Sequence, residues 1–399
     1  MVSGLLGGLR VLDLTRFVSG SQATMLLAAM GADVIKIEVP PGDPYRWQGT
    51  ERVGGESALF LALNAGKRSV AIDFRTPAGR QALEPVLGSA DMLMENSRPG
   101  SLARHGLDWE SVHARYPRLV YGSISGYGDV GPDAGRGGFD LILQAESGLM
   151  SVTGTEESGP VKVGAPVLDV GAGLSCALGM LAACIDRQRT GTGRLVSSSL
   201  LEFALATLGT VAASVMISGE VPGLLGTHSP TFAPYGGFRT ADGLLVLAGA
   251  GSEEMWARAC RALGLQALLD DERFADNAGR VAHRDQLTAE IEAVLTTRPT
   301  AHWLASLAEA GVPAAEVADL AQALDRPQAK ALGAIQEFGH PSAGAYRLVG
   351  PPLRVDQAAL GYPAPAPGLG SDTRAVLGEA GLSQADIDGL ARDGVVVAP

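Results

Sequence analysis

The chain has 399 residues, 46% of them hydrophobic and 19% charged, and its 31 Lys and Arg stand against 43 Asp and Glu for a formal net charge of −12. That balance argues against a nucleic-acid footprint, which needs a surplus of cations on one face, while the length and apolar content exclude a disordered chain and suggest roughly two domains. Three cysteines without a C-x-x-C pair (Cys176, Cys184, Cys260) argue against a disulfide framework and fit a reducing cytoplasm.

In chain order, β-branched runs over 10–14, 34–38, 69–74, 90–95 and 119–124 alternate with helical patterns over 22–30 and 77–88. Strands alternating with helices predict βαβ units and a mostly parallel sheet covered on both faces. Gly31-Ala-Asp33 closes the first helix, and Glu38 ends the second strand where a dinucleotide fold holds a ribose. The glycine-rich turn is missing, since residues 16–22 read RFVSGSQ, so a nicotinamide enzyme is disfavoured. The apolar runs 173–185 and 203–217 are short for a bilayer crossing and rich in Ala and Gly; with no signal-peptide pattern at the start, they predict buried helices in a soluble protein.

After residue 195 the alternation gives way to an apolar helical stretch and a turn-rich passage, 219–226, read as a linker. A separate unit follows, with a strand over 244–247 and helices over 253–263, 284–295 and 300–310. A second linker opens near 327, and a Pro-rich passage over 362–368 leads to Ser371 and Asp372 as caps of a helix over 373–380, then a helix over 384–391. The expected organisation is a large Rossmann-like α/β domain over 1–200, a linker 201–226, a smaller α/β domain 227–326, a linker 327–345 and a C-terminal segment 346–399 returning to the large domain.

The most informative stretch is Val163-Gly-Ala-Pro-Val-Leu-Asp-Val-Gly-Ala-Gly173. It places Asp169 between Pro166 and two glycines, ahead of an apolar helix expected to begin near Ala172. A helix N-terminus keeps such a carboxylate ionised, and the glycines admit a bulky substrate; Asp169 reads as a nucleophile or as a plain N-cap. Asp140 precedes the helix-like 141–147 and reads as that helix's cap or as a second carboxylate of the same pocket. The loop Asn96-Ser-Arg-Pro-Gly100 with Arg104 begins at the C-terminal end of a predicted strand, the edge where open α/β sheets bind ligands; with Asn64, Lys67 and Arg68 it offers cations for phosphates, or it is a solvated loop. Ser175 misses the nucleophile-elbow pattern, Ser197-Ser-Ser199 shows no spacing logic, and Ala248-Gly-Ala-Gly-Ser252 lacks the Lys of a phosphate loop. Six histidines, with neither H-x-x-x-H nor a cysteine partner, propose no metal site.

Taken in order, VLDLTRFVSG, GADVIKIE, NAGKRSVAIDF, the Asn96-x-Arg-Pro-Gly loop with GLDWE, the Phe139-Asp140-x-x-x-Gln144-Ala145 element, the Asp169 loop, Gly191-Thr-Gly-Arg194, His228 with Ala233-Pro-Tyr235 and Gly370-Ser-Asp-Thr373 resemble the family III CoA-transferases nearly end to end. The resemblance implies an interlocked homodimer, an acyl-CoA donor and a carboxylic acid acceptor, with coenzyme A as co-substrate and no metal. It also implies that the aspartate matching Asp169 attacks the thioester and carries the acyl group as an anhydride, in a pocket bordered by Phe17, Val18, Leu59, Phe139 and Asp140. By the same likeness Asn64, Lys67, Arg68, Asn96, Arg98 and Arg104 hold CoA. The related α-methylacyl-CoA racemases carry a His where Phe139 stands, and a phenyl ring cannot exchange a proton, so racemisation is the second reading. A CoA-binding protein without turnover is the third. Relatives acting on oxalate tend to have Gln and Tyr at Val18 and Leu59, which makes oxalate an unexpected acceptor here.

Overall fold

Short aliphatic runs separated by helices build the first part of the chain in the computed structural model, which describes residues 4–399. In order these are β1 (Arg10–Asp13), α1 (Ser19–Ala29), β2 (Asp33–Glu38), β3 (Arg68–Ile72), α2 (Pro77–Gly88), β4 (Met92–Glu95), β5 (Val120–Ser125), α3 (Asp140–Glu146), α4 (Val167–Thr190), β6 (Leu195–Ser199) and α5 (Leu200–Thr207). Near the C-terminus come α6 (Thr373–Glu379), α7 (Gln384–Arg392) and β7 (Val396–Val397). They form one sheet in the order β6-β5-β4-β1-β2-β3-β7. The first six strands are parallel, and β7 closes the edge antiparallel to β3.

Val11 of β1 pairs with Val34 on one side and Met92 on the other, all three fully buried. Strands covered on both faces need such continuous apolar runs. Strand order reverses at β1, so the loops after β1 and β4 diverge at the C-terminal edge of the sheet and leave a crevice, the usual ligand site of such folds.

The 24-residue α4 is apolar and long enough to cross a membrane by length and composition, as is α5 with the helix Gly209–Ser218, a pair bent by 69°. Half of the most apolar stretch of α4 is buried within the fold. Its glycines explain the packing: a Cβ on Gly173 would lie 2.1 Å from the Ser19 carbonyl oxygen of α1, and one on Gly171 1.9 Å from the Phe203 ring of α5. The glycines beside Asp169 therefore serve helix contact, and the opening for substrate that they suggested in the sequence is filled by protein.

The chain divides into two compact units. One runs to Ser147, resumes over Val163–Ala212 and closes with Arg326–Pro399; the other comprises Gly148–Lys162 and Ala213–Asp325. The second unit has its own three-stranded antiparallel sheet, with Leu244–Ala248 between Tyr235–Arg239 and Ala314–Glu316. Helices Glu253–Leu263, Arg284–Leu295 and Thr300–Glu309 cover it around Phe238, Trp256, Phe274 and Trp303.

Several local readings change. α4 starts at Val167, five residues before the expected Ala172, so Asp169 lies inside its first turn. Residues 148–162 sit with the second unit, outside the boundaries read from sequence. In the expected linker 327–345 the chain forms a helix, Pro327–Ala331, and a strand, Ile335–His340, paired with Gly344–Val349. Asp372 occupies the N-cap of α6 without a side-chain cap bond, because its Oδ2 accepts the Ser69 N–H at 2.9 Å. Ser199 of the serine triplet caps α5 through the Glu202 N–H.

Candidate active site

β1 ends on Asp13, fully buried beneath α1 and surrounded by donors. Its Oδ1 accepts from the Thr15 N–H and hydroxyl, and its Oδ2 from Thr24 Oγ1 and Lys67 Nζ, both at 2.8 Å. Burial alone would raise this carboxyl, but the charges of Lys67 and Lys36 overcome it and hold the pKa at about 2. Lys67 Nζ also donates to Ser21 O and Asn64 Oδ1, each at 2.8 Å.

This corrects the assignment of Asn64 and Lys67 to CoA. Both are sealed in the core, and the three donors of the ammonium are spent there. Arg68 is corrected for a related reason: it opens β3, at the edge opposite the crevice, and its guanidinium is held by Glu379 at 2.6 Å and Asp33 at 3.4 Å. Glu38, where a ribose partner was sought, is also occupied, with Arg46 bidentate at 2.7 Å on both oxygens and the Ser69 hydroxyl at 2.7 Å.

Asn96 acts on the neighbouring loop. Its Oδ1 accepts the Arg16 N–H at 2.8 Å, and its amide donates to Arg16 O at 2.7 Å and Ser19 Oγ at 3.1 Å. The loop after β4 thereby fixes the loop after β1. Between them lies a cavity of about 220 Å³ bordered by Arg16, Arg75, Ser97, Ser101, Arg104 and His105, and by Glu38 and Asp43, whose carboxylates are already paired with Arg46 and Lys36. Burial first, then the charges of Arg104, Arg80 and Arg75, lower the pKa of His105. Arg98 faces a second cavity, of about 540 Å³, whose border carries Glu95, Asp108, Glu110 and Asp129. Of the two, the first suits a polyphosphate. Sequence reasoning missed Arg16 and Arg75 as border residues; both follow the C-terminal end of a strand, the signal already used for Asn96.

Asp169 stands in the opposite electrostatic situation to Asp13. Asp140 Oδ2 accepts the Leu168 N–H at 2.8 Å and the Asp169 N–H at 3.2 Å, so the first turn of α4 is capped from α3. Asp140 thus caps a distant helix, and the N-cap of its own helix is Phe139. Among the described residues no donor is paired with the Asp169 side chain, and burial, followed by the charge of Asp140, pushes its pKa up to about 7. The helix terminus expected to keep Asp169 ionised is spent on another carboxylate. The same bonds remove the Leu168 and Asp169 amides as donors for a developing oxyanion.

Phe17 packs edge-on against Tyr45, with centroids 5.4 Å apart, and against Phe139 at 6.3 Å. Phe17 has φ +61°, a left-handed conformation uncommon for a bulky residue, at the turn where a dinucleotide fold would carry glycine. Tyr45 is coupled to Asp169, since burial and then the charges of Asp169 and Asp43 raise its pKa. The structure therefore gathers Phe17, Phe139, Asp140 and Asp169, and adds Tyr45 and Gln144. Val18 is half-buried at the start of α1, and Leu59 is exposed on the helix Ala58–Asn64. The arrangement offers one uncapped carboxyl with a near-neutral pKa, close to aromatic surface and in the same unit as a cationic crevice.

Comparison with known proteins points the same way. The family model described as CoA-transferase family III matches residues 6–373. Succinyl-CoA:glutarate CoA-transferase of Mus musculus is 36% identical over 375 residues, covering 94% of this chain and 86% of that protein. Succinate–glutarate CoA-transferase of Agrobacterium fabrum is 36% identical over 386 residues, covering 94% and 95%. Among solved structures, a CAIB/BAIF family protein from Brucella suis has a TM-score of 0.82 at 34% identity, covering 95% of this chain and 100% of that one.

Proposed function

Because this chain belongs to CoA-transferase family III, and is an acyl-CoA:carboxylate CoA-transferase of the EC 2.8.3 type, we propose that Asp169 is the residue on which its acyl groups change hands. A carboxylate oxygen of Asp169 attacks the thioester carbonyl, the C–S bond breaks, and CoA leaves as thiolate, giving an aspartyl-acyl anhydride. The thiolate then attacks the Asp169 carbonyl and releases the first acid as its carboxylate. The acceptor carboxylate takes the place of CoA on Asp169, and a last attack by the thiolate on the acceptor's carbonyl frees the new thioester and the aspartate.

The single observation carrying this reading is the uncapped Asp169, with a pKa raised to about 7, so that near neutrality a substantial fraction is ionised and more nucleophilic than an ordinary carboxylate. Partial burial beside Phe17 and Tyr45 supports protection of the anhydride from water. Arg16, Arg75, Arg104 and His105 are assigned to the phosphates of CoA, and Asn96 to holding their loop. The relatives' names make succinyl-CoA the first donor to test and glutarate the first acceptor. Phe139 disfavours racemisation.

We also propose a homodimer: Leu178 and Ile185 of α4 are 71% and 70% exposed, more apolar surface than a lone helix ordinarily leaves in water. Three unpaired buried thiols suit a cytoplasmic setting. The decisive experiment incubates the protein with acyl-CoA, traps the adduct with hydroxylamine and maps it by mass spectrometry. A hydroxamate on the Asp169 peptide is expected; acyl exchange with no adduct there, undiminished in Asp169→Asn, would remove Asp169 from the reaction.

A further inference from the structure

α3 contributes two polar side chains one helical turn apart, Asp140 and Gln144, and both reach into the segment that carries Asp169. Asp140 Oδ2 takes the Leu168 and Asp169 N–H groups, while the fully buried Gln144 accepts the Val163 N–H on Oε1 at 2.8 Å. The Gln144 amide donates back to Asp140 Oδ1, so the two side chains brace one another. The loop 163–169 is thus fastened at both ends by a single seven-residue helix.

We propose that Asp140 is the positioning residue of this site: it fastens the first turn of α4 and, by occupying the amides there, denies them to Asp169. The proposal rests on the reading of Asp169 as nucleophile and deepens it. Free first-turn amides would stabilise the ionised form of an acid in that turn and make it a weaker nucleophile. With Asp140 on those amides, the helix terminus is neutralised by a carboxylate that does not react, and its negative charge acts on the one that does. Gln144 supplies rigidity without charge.

The ionisable groups that act on Asp169, or are acted on by it, among the described residues are Asp140 from α3 and Tyr45 from the turn Pro44–Arg46; Asp43 faces Tyr45 in turn, and α1 presents Ser19 to α4. Removing the charge of Asp140 while keeping an acceptor therefore isolates its influence.

The test uses the full-length enzyme and the variants Asp140→Asn, Asp140→Ser, Gln144→Ala and Asp169→Asn. Exchange between succinyl-CoA and glutarate is followed from pH 5 to 9. Separately, the Asp169 carboxyl is titrated by carbon-13 NMR of aspartate-labelled protein, with its signal assigned by its loss in Asp169→Asn. Asp140→Asn is expected to move both the Asp169 titration and the acidic limb of the rate profile down by about one to two pH units. Asp140→Ser, which retains a neutral capping oxygen in less volume, gives the same shift and serves where the Asn variant does not fold. Gln144→Ala is expected to lower kcat about tenfold with the limb unmoved. An Asp169 titration unchanged in both Asp140 variants overturns the proposal, whatever the loss of rate, because a merely structural residue would lower activity without moving it. Exchange by Asp169→Asn at the parent rate would instead refute the nucleophile reading, and the NMR titration would still decide the influence of Asp140.

Discussion

Asp13 and Asp169 are two aspartates of the same unit, the first fully and the second partly removed from water, and they end up at opposite extremes. Asp13 has two threonines and a lysine on its oxygens and is held at about 2; Asp169 has no donor among the described residues and a second carboxylate close by, and is pushed up to about 7. Burial is common to both and pushes both upward. What separates them is who supplies hydrogen-bond donors: the fold saturates the aspartate it uses as a fastening and withholds partners from the one assigned to chemistry.

The contrast is sharpened by its largest consequence. Asp169→Asn keeps the shape and loses the nucleophile, so kcat is expected to fall by at least ~10³-fold in a coupled exchange assay, since removing a covalent group leaves only binding effects. Lys67→Met should do the opposite kind of damage. It leaves Asp13 buried without the cation bonded to it, with only the charge of Lys36 nearby, an expected loss of about 3 to 5 kcal/mol in denaturant unfolding. A variant of normal stability would break the comparison at its Asp13 end. Gly173→Ala drives a methyl into the Ser19 carbonyl and is expected to cost about 2 to 3 kcal/mol, read the same way. Thr24→Val strips one donor from Asp13 and should cost about 1 to 2 kcal/mol.

The smallest effect carries the clearest sign. The Asp13 carboxyl has a depressed pKa, so its contribution is present above the ordinary value of 3.8 and is lost as pH falls toward 2. The Asp169 carboxyl has a raised one: folding favours its protonated form, so it costs nothing below about pH 4, and its penalty grows as pH rises to 7 and stays above that. Asp169→Asn should therefore be more stable than the parent at pH 8 by about 1 to 2 kcal/mol and equal to it at pH 4, in thermal melts at the two values. The parent's exchange rate, by the same acid dissociation, should fall below about pH 7.

Much of the fold is readable locally. Helices 77–88, 253–263 and 284–295 carry their own boundary signals, such as Thr76 before Pro77 or Ser252 before Glu253, and the structure begins and ends them at those residues. The start of α4 is not readable in this way, because the group capping it, Asp140, lies 28 residues before Leu168. Lys67 looks like a phosphate ligand in the chain and becomes a core cation only through Asp13, 54 positions away. β7 is two residues long and exists because β3 needs an edge partner. Motif order identified Asp169, Asp140 and Asn96; what each does is decided by partners that arrive from elsewhere in the chain.

Close contact between α1 and α4 at Gly173 has a mechanical meaning. Ser19, whose carbonyl presses on that glycine, also receives the Asn96 amide on its hydroxyl. The loop proposed to hold the nucleotide end of a thioester and the turn bearing the side chain proposed to accept the acyl group are therefore geared together through one serine. A slip at either end would be felt at the other as misalignment, which gives a molecule that must hold a long, flexible ligand a fixed ruler between its handle and its reacting tip.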